Sequence, residues 1–174
     1  MTIIGRFSKF VVTVGVLVAA LGTTLMAREN RTAEQDRAGI ERLHQQDVAA
    51  TLSDSADQLA KLWDKDAVRF PLTRPVEIGA AVIYADDKQW EMSSGRDHTL
   101  CYDMEVQDIQ IAGDWAFEWG YGSLKSTKAG KVSIFYATVM RVMKRQPDGS
   151  WRFARVMSVL YPSASAVVLK HPCQ

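Results

Sequence analysis

Between residues 33 and 52 the apolar positions fall three and four apart, and Ile40, Leu43, His44, Asp47 and Thr51 form one helical stripe with a carboxylate near its centre. Thr32 stands three residues before Gln35 as a capping-box pair, which predicts a helix from about Ala33 to about Leu52. SDSAD interrupts it with turn and cap residues. SADQLAKLW then predicts a shorter helix with Leu59, Leu62 and Trp63 on one side. DAVRFPLT alternates around Val68 and Phe70 and is stopped by Pro71, the pattern of a short strand. IGAAVIYADDKQWEM holds Ile83, Tyr84 and Trp90 at helical spacing and predicts a third helical piece. From His98 onward the period changes to two, in four β-rich runs: TLCYDMEVQDIQI, DWAFEWGYGSLKS, KVSIFYATVMRVMKR and SWRFARVMSVLY.

Short turns at Ala112-Gly113, TKAG and QPDGS join these runs, so consecutive strands pair antiparallel. The expected architecture is α+β: a cone-shaped, curved antiparallel sheet, made of a meander of four long strands plus a short first strand, wrapped around two to three N-terminal helices. Strands of more than about ten residues need strong twist, and a sheet bent around helices leaves a cone whose mouth can admit a ligand. The GYG stretch is explained by a close approach of side chains or by a bulge.

Composition adds little to this picture, and the N-terminus changes it. The 174 residues carry 21 Lys plus Arg against 20 Asp plus Glu, so no net field recruits nucleic acid, and no nucleic-acid partner is expected. Arg6 and Lys9 precede the unbroken apolar run FVVTVGVLVAALG, a secretory leader pattern over residues 1–27. Cleavage places the domain in the periplasm or outside the cell; the rival is an uncleaved anchor, which would be the chain's sole membrane contact. The globular domain is expected over 32–161, followed by an extended tail over 162–174. Cys101 and Cys173 are the two cysteines, and export permits a bridge between them, with two unpaired thiols as the alternative.

IERLHQQDVAATLSDSADQLAKLWDKDAV, AGDWAFEWGYGSL and VMRVMKRQPDGSWRFARVM, in this order and spacing, resemble the nuclear transport factor 2-like superfamily, and within it the SnoaL-like, ketosteroid-isomerase-like small domains. The likeness covers Ile40 to about Met157. It implies the cone fold, and it leaves function open among isomerases, cyclases, dehydratases, binding domains and assembly domains. For the isomerases it implies a catalytic carboxylate in the loop after the first strand. Here that stretch reads RFPLTRP, with no acid.

Candidate chemistry centres on Asp47. An ionised carboxylate on an inward stripe costs several kcal/mol unless it is paired, hydrogen-bonded or protonated. His44 is the local partner. If Gly149 takes the left-handed position of a three-residue hairpin loop, Gln146 faces Ser150 and Arg141 faces Arg155; two like charges side by side would call for an anion. Glu118 alternates with Ala116 and Gly120, on the side opposite Trp115, Phe117, Trp119 and Tyr121. Asp47 and Glu118 are therefore the candidate general bases, and His44, Trp63, Phe70, Tyr84, Trp90, Trp119, Tyr136, Arg141 and Arg155 the candidate ligand-binding residues, with Tyr136 or an arginine facing a developing oxyanion. The rival is a satisfied polar network that tethers helix to sheet, beside aromatics that are plain core. No metal-ligand spacing and no nucleophile elbow is present in the sequence, and no cofactor is expected. The expected partner is a small, partly apolar molecule; a self-assembly domain pairing as a homodimer is the alternative use of the Trp- and Val-rich outer face.

Overall fold

The computed structural model describes residues 33–72, 74–161 and 173. The leader over 1–27, the Thr32 cap and the tail, apart from Cys173, lie outside the described residues. Among the described residues no helix is long and apolar enough to cross a membrane. The chain divides into two units, Met1–Asp36 and Arg37–Gln174, and the second holds the whole of the sheet.

Helix α1 spans Ala33–Leu52 and buries Ile40, Leu43 and Ala50. A turn containing Asp54, at φ 51°, leads to the short α2, Ala56–Leu59. Ser55 caps it by accepting a hydrogen bond from the Gln58 backbone, and a 3-10 turn at Ala60–Leu62 follows. Strand β1 is Trp63–Phe70, so Trp63 opens a strand where the sequence pattern ends a helix. β2, Glu77–Ile78, is a two-residue strand that periodicity does not signal, and α3 runs Ala80–Met92. The meander follows as β3 His98–Ala112, β4 Trp115–Lys128, β5 Lys131–Arg145 and β6 Trp151–Tyr161. Sheet order is β2-β1-β6-β5-β4-β3. The meander pairs are antiparallel as expected, whereas β1 adds to β6 in parallel, which makes the curved sheet mixed. The core lies where Ile40 and Leu43 of α1 and Ile83 of α3 meet Ala67, Met143, Trp151 and Phe153.

Two bulges decide which side chains look inward. In β3, Gln107 is the extra residue: Ile109 opposes Glu118, but Val106 opposes Gly120. Without it Tyr102 would face Lys125; with it Tyr102 faces Leu124, one residue over and on the other side of the sheet. Gly120 sits against this distortion, and a methyl there would meet the Glu105 carbonyl oxygen and the Val106 Cα. GYG thus lies against a bulge, the second of its two expected readings, with the extra residue in the facing strand β3 and the β3 backbone close to Gly120. In β6 the extra residue is Ala154. Gly149 does take a left-handed φ of 84°, and the Gln146 backbone N–H donates to the Ser150 carbonyl at 2.7 Å, so the hairpin is the expected one. Met143 then opposes Phe153 while Val142 opposes Arg155, which leaves Arg141 opposite Val156. The expected Arg141–Arg155 pair is therefore corrected.

Cys101 of β3 and Cys173 are joined by a disulfide with Cα atoms 5.7 Å apart, across a sequence separation of 72 residues. The Cys173 backbone N–H also donates to Ser123 Oγ of β4 at 3.0 Å. Closing so long a loop restricts the unfolded chain, by about 4 kcal/mol on the loop-entropy relation. Denaturant unfolding with and without reductant is expected to show a loss of that order, reproduced by the double variant Cys101→Ser/Cys173→Ser.

Candidate functional site

Inside the bent sheet lies a cavity of about 490 Å³. Its walls are apolar: Trp63 of β1, Leu72 beyond it, Phe135, Ala137 and Val139 of β5, and Phe153, Val156 and Leu160 of β6, with Gly122 where a side chain would intrude. Ser123 and Ser158 add hydroxyls. One end is polar, built from Asp47 of α1, Tyr102 of β3 and Arg141 of β5.

Arg141 organises that end. Its Nη2 donates to Asp47 Oδ2 at 2.8 Å and to the Tyr102 hydroxyl at 2.6 Å, its Nη1 lies 3.5 Å from Glu118 Oε1, and its guanidinium sits 4.9 Å above the Phe153 ring. Burial works against the charge on Arg141, but Tyr102, Asp47 and Glu118 outweigh it and hold the guanidinium above its ordinary value. The Tyr102 hydroxyl donates to the same Asp47 Oδ2 at 3.1 Å. Burial, reinforced by Asp47 against the opposing pull of Arg141, keeps this phenol protonated well beyond its usual range. Both bonds to Asp47 fall on Oδ2; Oδ1 has no hydrogen-bond partner among the described residues. Glu118 lies behind this row, buried, with His44 Nε2 at 3.1 Å from its Oε1 and 2.9 Å from its Oε2.

Asp47 and Arg141 therefore border the cavity, Trp63 forms part of its wall, and Glu118 and His44 lie outside its lining as supports for Arg141. The other candidates are elsewhere. Phe70 is exposed at the end of β1. Tyr84 donates to Asp57 Oδ1 at 2.9 Å. Trp119 lies on the outer sheet face, edge-on to Tyr121 with ring centroids 5.7 Å apart. Tyr136 is on the face opposite Ala137, Val139 and Arg141, so alternation removes it from the polar end. Arg155, turned by the Ala154 bulge, donates instead to the Asp66 and Ala154 carbonyls. Trp90 lines a second, smaller cavity, with Arg96 stacked 4.9 Å from its ring centre.

Sequence reasoning missed Tyr102. Counting back from the Ala112-Gly113 turn puts its side chain outside, and only the Gln107 bulge brings it in. An uncommitted tyrosine in a strand facing a helical carboxylate is the one signal that could have drawn attention to it.

The sequence matches no family model and no curated protein. Solved structures do match. A ketosteroid isomerase-like protein from Erwinia carotovora atroseptica is 18% identical, with 72% of this chain and 96% of that chain covered at a TM-score of 0.62. A protein of the NTF2-like family from Streptomyces avermitilis is 15% identical over 76% of this chain and 100% of that one, at a TM-score of 0.60. A hexachlorocyclohexane dehydrochlorinase is 14% identical over 71% and 84%, at a TM-score of 0.58. At these identities the likeness is one of fold. The chain has the ketosteroid-isomerase-like, nuclear transport factor 2-like cone fold that its sequence motifs resemble.

Proposed function

We propose that the chain is an exported domain that binds a small, largely apolar molecule carrying a neutral hydroxyl or carbonyl at one end. The observation that carries this reading is the cavity of about 490 Å³ with apolar walls and a single polar end. A neutral group suits that end better than an anion, because Asp47 and Glu118 already balance the charge on Arg141. A hydroxyl can donate to Asp47 Oδ1, while a carbonyl can accept from Tyr102 once that proton turns away from Asp47 Oδ2. Export is supported by the leader pattern and by the Cys101–Cys173 bridge, which persists best in an oxidising compartment.

A proton-transfer enzyme is the second reading, favoured by the unengaged Oδ1 of Asp47 at the cavity wall. In it Asp47 is the general base, and Tyr102 and Arg141 stabilise an oxyanion that develops on the substrate. A second copy of the chain is the expected cover for the outer sheet face. There Phe117, Trp119, Met140, Met157 and Val159 are all exposed, and Trp119, Met140 and Met157 stand in one cross-strand row.

In calorimetric titration 2-naphthol should bind more tightly than naphthalene or 2-naphthoate. Ala137→Phe, which fills the cavity, should abolish that binding without lowering the melting temperature; naphthol binding that survives the filled cavity removes the site. Arg141→Met should destabilise the fold by about 3 to 5 kcal/mol in denaturant unfolding, because it leaves Asp47 with only the Tyr102 hydroxyl and Glu118 with only His44. Light scattering should report a dimer that Met140→Glu converts to a monomer; a wild-type monomer rejects the pairing.

A further inference from the structure

The inner face of β6 carries one side chain that packing does not explain. Beyond the Ala154 bulge, Val156, Ser158 and Leu160 alternate toward the larger cavity, while Met157 and Val159 are exposed on the other face. Ser158 is half-buried and stands opposite Val139, between Val156 and Leu160 on its own strand and diagonal to Ala137 on β5. Every one of these neighbours is apolar. A β-branched aliphatic residue suits a half-buried strand position of this kind better than a serine does.

The Ser158 hydroxyl is also uncommitted. Ser123, the other serine at this cavity, accepts the Cys173 backbone N–H at its Oγ, and Asp47, Tyr102 and Arg141 are bonded to one another. Ser158 Oγ has no hydrogen-bond partner among the described residues. The register sets its place relative to the polar end. Arg141 pairs with Val156, so Ser158 is its diagonal neighbour across β5 and β6, about 7 to 8 Å away between backbones. The Arg141 guanidinium lies over Phe153, and Val156 stands between Phe153 and Ser158 along β6, so an apolar step separates the two polar positions.

A cavity of about 490 Å³ has room for more than one ring and one polar group. An occupant that places an oxygen against Asp47 or Tyr102 and fills the apolar volume beyond it passes along Val139, Ser158 and Leu160. Apolar surface laid over Ser158 takes its hydroxyl from water and returns no hydrogen bond, whereas an oxygen placed there restores one. The serine therefore discriminates among ligands by what they carry partway along their length. Resting on the reading of this cavity as a ligand site, we propose that Ser158 is a second specificity contact. The ligand class is then a rigid, mainly apolar compound with two neutral oxygen functions, one held at the Asp47–Tyr102 end and one hydrogen-bonded to Ser158 Oγ. A hydroxyl at this position can donate to a carbonyl or accept from another hydroxyl.

The test is calorimetric titration of the purified protein with 2-naphthol, naphthalene-2,6-diol and naphthalene-2,3-diol. The 2,6-diol has hydroxyls at opposite ends of the fused rings. It is expected to bind about three- to tenfold more tightly than 2-naphthol, the scale of one neutral hydrogen bond and more than its two equivalent ends supply. The 2,3-diol has both hydroxyls at one end and should show no gain that depends on Ser158. Ser158→Ala should remove the gain of the 2,6-diol and leave 2-naphthol unchanged, and Ser158→Thr, which keeps the hydroxyl, should retain it. If 2-naphthol binds in the cavity and the 2,6-diol binds no better than its symmetry allows, the second contact is overturned and the cavity remains a ligand site. A gain that survives Ser158→Ala overturns it equally. If 2-naphthol does not bind, the reading of the cavity fails and the Ser158 contact fails with it.

Discussion

One buried guanidinium holds this cone together. Taking Arg141 out of water costs several kcal/mol, and the fold recovers that only because three elements converge on it: α1 with Asp47, β3 with Tyr102 and β4 with Glu118. The three contacts are far apart in sequence, so the interaction fixes tertiary placement rather than local structure. Helix α1 has a weakly apolar inner stripe, with His44 and Asp47 where leucines would ordinarily pack. The charge network replaces part of the burial that the helix gives up. The same substitution opens space, since a ring of polar groups at one end and small residues such as Ala137 and Gly122 along the walls leave a volume that close packing would have filled.

Much of this was legible in the chain. The spacing of Ile40, Leu43 and Asp47 gives the helix and its inward acid, the period-two runs give the meander, and Gly149 fixes its last hairpin. Glu118 could be set on the inner face from its neighbours Ala116 and Gly120. What the sequence hid is governed by two single-residue insertions. Gln107 turns Tyr102 into the cavity and Ala154 turns Arg155 out of it; each reverses the face of the residues beyond it, in β3 as far as a further register shift at Leu100, and neither leaves a local compositional mark. In β6 the consequence is visible only in retrospect, as Phe153 and Ala154 are both buried although they are consecutive. The parallel β1–β6 pairing was hidden for another reason. It joins residues some ninety positions apart, Trp63 with Phe153, and no turn connects them.

Aromatic residues illustrate the limit of reading by type. Trp63 lines the larger cavity, Trp90 the smaller one, and Trp119 the outer surface, although all three looked equally suited to a ligand wall. Their fates follow from strand phase and helix rotation, which composition does not carry. The cavities also differ in what surrounds their charges. Around Arg141 the charges pair with one another across one guanidinium, whereas at the smaller cavity each aspartate has a separate cation: Asp54 has Arg96, Asp87 has Arg69 and Asp97 has Lys128.

The parallel join between β1 and β6 also bears on how the chain reaches its native state. β3 to β6 are linked by tight turns and can zip in sequence at little loop-closure cost, but β1 cannot dock until the last strand of the meander exists. Loop-closure cost therefore predicts that the first strand docks after the meander has formed. The larger cavity takes its walls from α1 and β1 as well as from the meander, so on this order a ligand held there would bear on the docking of β1 and not on the earlier pairing of the hairpins.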